Sequence, residues 1–164
     1  MLFRSYQIKE KTTLTIADGM GQNKKFSLDL GGIYQLKNIL SVLATIDKLK
    51  ISGWKIHDYH IKDALANVQL LTGLNGRWQV WQKDPRIVLD VAHNEDGIAQ
   101  IIKQLDISNY DKLHIVVGMV KDKDIKNVLK LLPTHGTYYF TQASIPRALP
   151  ADELQKKAEE HQLN

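Results

Sequence analysis

From Asn75 onward, short apolar runs alternate with segments of helical period, and no other feature constrains the fold as tightly. Arg86–Val91 reads as a near-continuous apolar strand, Leu113–Val117 as another and Tyr138-Tyr139-Phe140 as a third. Between them, Ile98, Ile101, Ile102 and Leu105, and then Ile125, Val128, Leu129 and Leu132, recur at the spacing of one helical face. Trp78–Trp81 adds a short strand ahead of these, and a charged helix runs from Asp152 to the end. Strands that are apolar throughout, instead of alternating, fit burial on both faces, so the predicted class is α/β with a parallel sheet between helices. In such sheets ligands bind beyond the carboxyl ends of the strands. Here those ends are Asp90–Asn94, Gly118–Asp124 and Thr141–Arg147, where polar and charged residues collect.

The first 74 residues follow a different pattern. Phe3–Ile8 and Thr12–Ile16 are rich in β-branched and aromatic residues, Asp18–Asn23 is a dense turn signal, and Phe26–Leu30 alternates, which predicts an antiparallel hairpin. After Gly31-Gly32 the period turns helical, with Ile33, Leu36, Leu40, Leu43 and Ile46 forming one apolar stripe. A second helix is expected from Asp58 to Leu71, stopped by Gly73. Charge changes at the same place: residues 1–74 hold 10 basic and 6 acidic side chains, whereas residues 75–164 hold 12 of each. A boundary near Gly73–Gly76 is expected.

Several function classes are excluded early. With no cysteine among 164 residues there is no disulfide framework, thiolate metal site or cysteine nucleophile. No apolar run approaches the roughly 20 residues of a membrane span, and the first residues do not form a signal peptide. A cytoplasmic protein without membrane contact is expected. The basic excess is scattered, with Lys24-Lys25 the densest cluster of the first half, which argues against a nucleic-acid surface. The chain has no G-x-x-x-x-G-K-[ST] loop, no G-x-G-x-x-G fingerprint and no H-E-x-x-H metal spacing.

Chemistry is concentrated in a few places. Asp90-Val91-Ala92-His93-Asn94 ends a strand, where a carboxylate suits a sugar diol or a cation and an imidazole suits binding or proton handling. Asn94 also suits a helix cap, with Glu95 and Asp96 favoured by the dipole of the first turn. Arg77, just ahead of a strand, offers a guanidinium fork for phosphate, although most lone arginines are ordinary surface groups. Gln35 and Asn38 sit off the centre of the first helix's stripe and read, by spacing alone, as a solvated face. Arg147, between Pro146 and Pro150, offers an anion contact or belongs to a stiff turn.

Taken together these stretches resemble folylpolyglutamate synthase/dihydrofolate synthase, within the Mur ligase superfamily. The resemblance is carried by Gly32-Ile33-Tyr34-Gln35-Leu36-Lys37-Asn38, Leu74-Asn75-Gly76-Arg77-Trp78-Gln79-Val80, Ile87–Asn94, Gly118–Asp124 and Arg147-Ala148-Leu149-Pro150, in the family's order. Asn75 replaces a usual proline and Tyr34 a commoner histidine, so the resemblance assigns Tyr34 no role. It implies a Rossmann-like, mostly parallel C-terminal sheet flanked by helices, preceded by a hairpin-plus-two-helix tail of the central ATPase domain. Residues 1–74 would be that tail and residues 75–164 an apparently truncated C-terminal domain, the whole a fragment of a longer enzyme.

The implied activity is ATP-dependent ligation. ATP phosphorylates a folate or dihydropteroate carboxylate to an acyl phosphate, and the amine of L-glutamate then displaces phosphate to form an amide. By resemblance Asn38 contacts the adenine side of ATP, Arg77 its phosphates and Asp90 the ribose hydroxyls, while His93 lies near the reacting groups as the catalytic candidate. Magnesium ligands and the phosphate loop are expected in a region this sequence lacks, so it is expected to be inactive alone and to supply part of an ATP site. A monomer is expected. Alternatives are a Mur-type ligase of peptidoglycan precursors, favoured less by the A-H-N, D-K-D and R-A-L-P stretches, and a non-catalytic nucleotide-binding or interaction module. A response-regulator-like domain fits poorly, because Asp90 with Asp122 does not make the acidic cluster it needs.

Overall fold

The computed structural model describes residues 12–17, 23–121 and 124–164. The strand expected over Phe3–Ile8, the turn over 18–22 and Asp122-Lys123 of the polar loop lie outside them. The chain forms two compact units, Met1–Val91 and Ala92–Asn164.

In the first unit, β1 (Thr12–Ala17) and β2 (Asn23–Leu28) pair antiparallel, with Leu14 opposite Phe26 and Thr12 opposite Leu28. Alternation sends Leu14, Phe26 and Leu28 to one face, where they meet Ile39 of helix α1 (Gln35–Ile51) and Ile61 and Leu65 of helix α2 (Asp58–Ala66). The stripe on α1 lies elsewhere than expected: Leu36 and Leu40 are 48% and 55% exposed, whereas Ile39 is 3% exposed and is joined by Leu43 and Ile46. Apolar residues cover a broad arc of this helix, and period alone does not say which edge of the arc meets the hairpin. Lys24 of β2 and Lys50 of α1 both reach the Asp58 carboxylate, at 3.6 and 3.5 Å.

The second expected helix is broken. Asn67 leaves helical geometry at φ −137°, and helix α3 (Val68–Thr72) starts afresh. Its free N–H groups at Val68 and Gln69 are taken by the Asp29 carboxylate at 3.0 and 2.9 Å, a cap supplied from far upstream by a side chain only 2% exposed. Gly73 ends α3 in the left-handed region, as expected of a C-terminal stop.

Strands β3 (Gln79–Lys83) and β4 (Arg86–Leu89) form an antiparallel hairpin with a bulge at Trp81. Only Asp84 and Pro85 separate them, too few residues for a parallel crossover. The apolar run at 86–91 is therefore not sealed on both faces, and Ile87 and Leu89 are each 40% exposed.

The second unit begins with helix α4 (Glu95–Asp106), where the Asn94 side chain accepts from the Gly97 N–H at 2.9 Å. Strand β5 (His114–Val117), helix α5 (Ile125–Leu131), capped by Asp124, and strand β6 (Thr137–Phe140) follow as a crossover, and the two strands pair in parallel. Helix α6 (Ala151–Glu159) closes the unit. Tyr138 from β6 packs with Val128, Leu129, Leu154, Ala158 and Leu163, and Ile115, Val117 and Phe140 lie against the same core. The opposite face of β5–β6 is open, with Val116 71% exposed, so these strands too are sealed on one side only. The α/β class stands; parallel pairing belongs to β5–β6, and β1–β2 and β3–β4 are antiparallel.

Candidate functional site

The turn leading into β3 is built around a buried amide. Gly76 takes φ +72°, and its N–H donates to Gln79 Oε1 at 2.9 Å while Gln79 Nε2 donates to Asn75 Oδ1 at 3.1 Å. The Gly76 carbonyl accepts from the Val91 N–H at 3.0 Å, which brings the end of the β4 segment against the turn. A Cβ at Gly76 would stand 2.5 Å from Val91 Cγ1, so both conformation and space require glycine.

Trp78 follows in the left-handed region at φ +46°, its indole only 8% exposed. This conformation is uncommon for a bulky residue. It aims the Trp78 N–H at Asp90 Oδ2, 2.8 Å away, and the Tyr34 hydroxyl donates to the same oxygen at 2.7 Å. Gly31 admits the approach: a Cβ there would meet the Trp78 carbonyl oxygen at 2.5 Å. Burial, and after it the bond to Asp90, pushes the Tyr34 phenol well above its ordinary pKa, while the Arg77 guanidinium pulls the other way. Asp90, Arg77, Trp78 and the residues leading into α1 thus form one neighbourhood of the first unit.

Asn38 lies one turn beyond Tyr34 on α1, exposed, its Nδ2 donating to Oε1 of the buried Gln35 at 2.8 Å. The expectation of a solvated face holds for Asn38 and fails for Gln35, which is 6% exposed. His93 and Asn94 belong to the second unit; His93 is exposed, and Asn94 performs the capping its position suggested. In that unit the loops after β5 and β6 are joined by main-chain bonds, Lys121 N–H to Arg147 O at 3.0 Å and Leu149 N–H to Met119 O at 2.9 Å.

Sequence reasoning passed over Tyr34, Gln79 and the Trp78 amide. The available signal for Tyr34 was its place beside Gln35 at the start of a helix that also carries Asn38. Nothing in the order of residues announces a left-handed tryptophan. Among the described residues no group of three or more His, Asp or Glu could hold a metal ion. None of the described helices is long and apolar enough to cross a membrane.

Residues 76–164 match the family model described as Mur ligase, glutamate ligase domain. A dihydrofolate synthase/folylpolyglutamate synthase of Buchnera aphidicola (subspecies Acyrthosiphon pisum) is 34% identical over 102 residues, covering 62% of this chain and 24% of the relative. A bifunctional folylpolyglutamate synthase/dihydrofolate synthase solved with Mn, AMPPNP and L-glutamate bound is 29% identical, covers 82% of this chain and 32% of its own, and superposes with a TM-score of 0.64. The Mycobacterium tuberculosis folylpolyglutamate synthase complexed with ADP and AMPPCP reaches 0.71 at 24% identity, a likeness of fold, over 84% of this chain and 31% of its own. The chain spans about a quarter to a third of the length of these proteins.

Proposed function

The chain belongs to the Mur ligase family through its glutamate ligase domain, and from that premise we propose that it forms part of the ATP site of a ligase joining glutamate to a folate or dihydropteroate carboxylate. The acid is activated as an acyl phosphate, and the amine of glutamate displaces phosphate to leave an amide. Residues 1–74 are read as the end of the central ATPase domain and residues 75–164 as C-terminal domain, in keeping with a family match that begins at Gly76.

Each side chain has a task in this scheme. Arg77 offers a planar fork to phosphate oxygens and balances negative charge as the γ-phosphoryl group is transferred. Asp90 accepts hydrogen bonds from the ribose hydroxyls, Asn38 faces the adenine side, and His93 helps place the acyl phosphate or its substrate. What carries the reading is the gathering of the α1 entry, the Arg77 turn and the Asp90 carboxylate through the Tyr34 and Trp78 hydrogen bonds. The described residues do not make a cage for magnesium, and no step of this scheme is assigned to them through a metal.

Calorimetric titration with ADP tests the proposal. The chain is expected to bind ADP weakly, with Arg77→Ala and Asp90→Asn each lowering affinity roughly ten- to hundredfold, the effect of removing a hydrogen bond to a charged group. Unchanged affinity in both variants overturns the reading. The purified 164-residue chain, given ATP, dihydropteroate and L-glutamate, is expected to form no amide, and measurable amide would refute the assignment of a partial site.

A further inference from the structure

We propose that Tyr34 is a positioning residue of the nucleotide site: its hydroxyl, acting with the Trp78 amide, fixes the Asp90 carboxylate in the orientation that receives the ribose. The proposal rests on the reading of Asp90 as the ribose acceptor, and goes beyond it by giving that acceptor a second residue that sets its geometry.

Two donors converge on one carboxylate oxygen, the Tyr34 hydroxyl at 2.7 Å and the Trp78 N–H at 2.8 Å. Carboxylate torsion is soft in an aspartate left to itself, because the terminal sp³–sp² angle is broad. Two donors on Oδ2 from different directions remove that freedom and settle where Oδ1 points. The donors are not equivalent. The Trp78 donor is main chain, held by a left-handed turn that the Gln79 amide braces one residue away, so side-chain identity hardly touches it. The Tyr34 donor is a side chain reaching across 56 positions, so this tie between the α1 entry and the carboxylate depends on which residue stands there. Tyr34 and Asn38 are four apart, neighbours on one helix face. A displacement of Tyr34 therefore moves the proposed ribose acceptor relative to the residue proposed for the adenine side. Burial and the carboxylate itself hold the phenol protonated, so the donor persists through the neutral and mildly alkaline range.

The test is discrimination between ADP and 2′,3′-dideoxy-ADP, measured by calorimetry on the whole chain. A site built to receive sugar hydroxyls rejects the analogue lacking them. Wild type is expected to prefer ADP clearly. Tyr34→Phe, which removes one oxygen, is expected to weaken ADP about tenfold while leaving the dideoxy nucleotide nearly unaffected, so that the preference shrinks towards one. Asp90→Asn is expected to remove the preference by itself, and adding Tyr34→Phe to it is expected to change nothing further, because both act through one carboxylate. Tyr59→Phe, at an exposed tyrosine of α2, is the control and is expected to bind as wild type does.

A Tyr34→Phe chain that keeps the full preference while Asp90→Asn loses it overturns this proposal and spares the ribose reading. Equal weakening of both nucleotides by Tyr34→Phe also overturns it, showing a packing contribution only. A wild-type chain that binds neither nucleotide, or does not distinguish them, removes the ribose reading and this inference together.

Discussion

Gly76 is constrained twice over, in conformation and in space. Its φ of +72° is strained for any side chain, and a methyl there would press on Val91 Cγ1 at 2.5 Å. Gly76→Ala is therefore expected to destabilise the first unit by about 2 kcal/mol or more, seen as a lower urea midpoint with an unchanged slope. Residue-scale signals divided in an instructive way between those the sequence exposes and those it hides. Asn94 was legible as a cap because a cap is local, its acceptor and the Gly97 N–H lying three positions apart. Tyr34 was not, because its partner stands 56 positions away and the hydrogen bond exists only once Gly31 has let the Trp78 carbonyl come close. Arg77 and Asp90 could be named from motif resemblance, but the bonds that make them neighbours could not.

Helices and strands were readable wherever a period stood alone. The hairpin of β1 and β2 and the α4–β5–α5–β6 succession follow the spacing of their apolar residues, whereas α6 was legible as a charged helix and ends at Glu159, short of the last residue. The expected helix over 58–71 failed at Asn67, because the energy that starts a new helix there comes from the Asp29 carboxylate, outside any local window. Asp29→Ala strands two N–H groups and a short helix, and is expected to cost about 2–4 kcal/mol and to abolish amide protection in Val68–Thr72 while α2 keeps its own. Asp58 supplies a weaker, pH-dependent tie between elements. Lys24 first, and Lys50 with it, hold its carboxyl below the ordinary carboxylate pKa. A carboxyl depressed in the folded state stabilises above its unfolded pKa, and that contribution disappears as pH falls through the lower folded value. Asp58→Asn is thus expected to lower stability slightly at neutral and mildly alkaline pH, the side chain being 59% exposed and well screened, and to leave it unchanged in acid below the folded pKa, so that the acid limb of the stability curve flattens.

At the scale of the molecule, each unit has a core drawn from its own residues, one around Phe26, Ile39 and Ile61, the other around Val128, Leu129 and Leu154. Leu154 is fully buried at the centre of α6, and Leu154→Ala is expected to cost about 2–5 kcal/mol by leaving a cavity, read as faster amide exchange in α6 and β6. The α/β class was visible in the alternation of elements, but strand direction was not wholly so. Apolar runs at 86–91 and 113–117 look alike as sequence, yet the first follows a two-residue turn and the second leads into a helical crossover, and connection length decides what composition leaves open.

The loops after β5 and β6 are fastened by carbonyl and amide groups, through Lys121 with Arg147 and Met119 with Leu149. Main-chain stitches are indifferent to what hangs from them. The path of the seam is consequently set by backbone geometry, and a substitution at an exposed position of this rim such as Lys121→Ala is expected to leave both bonds in place.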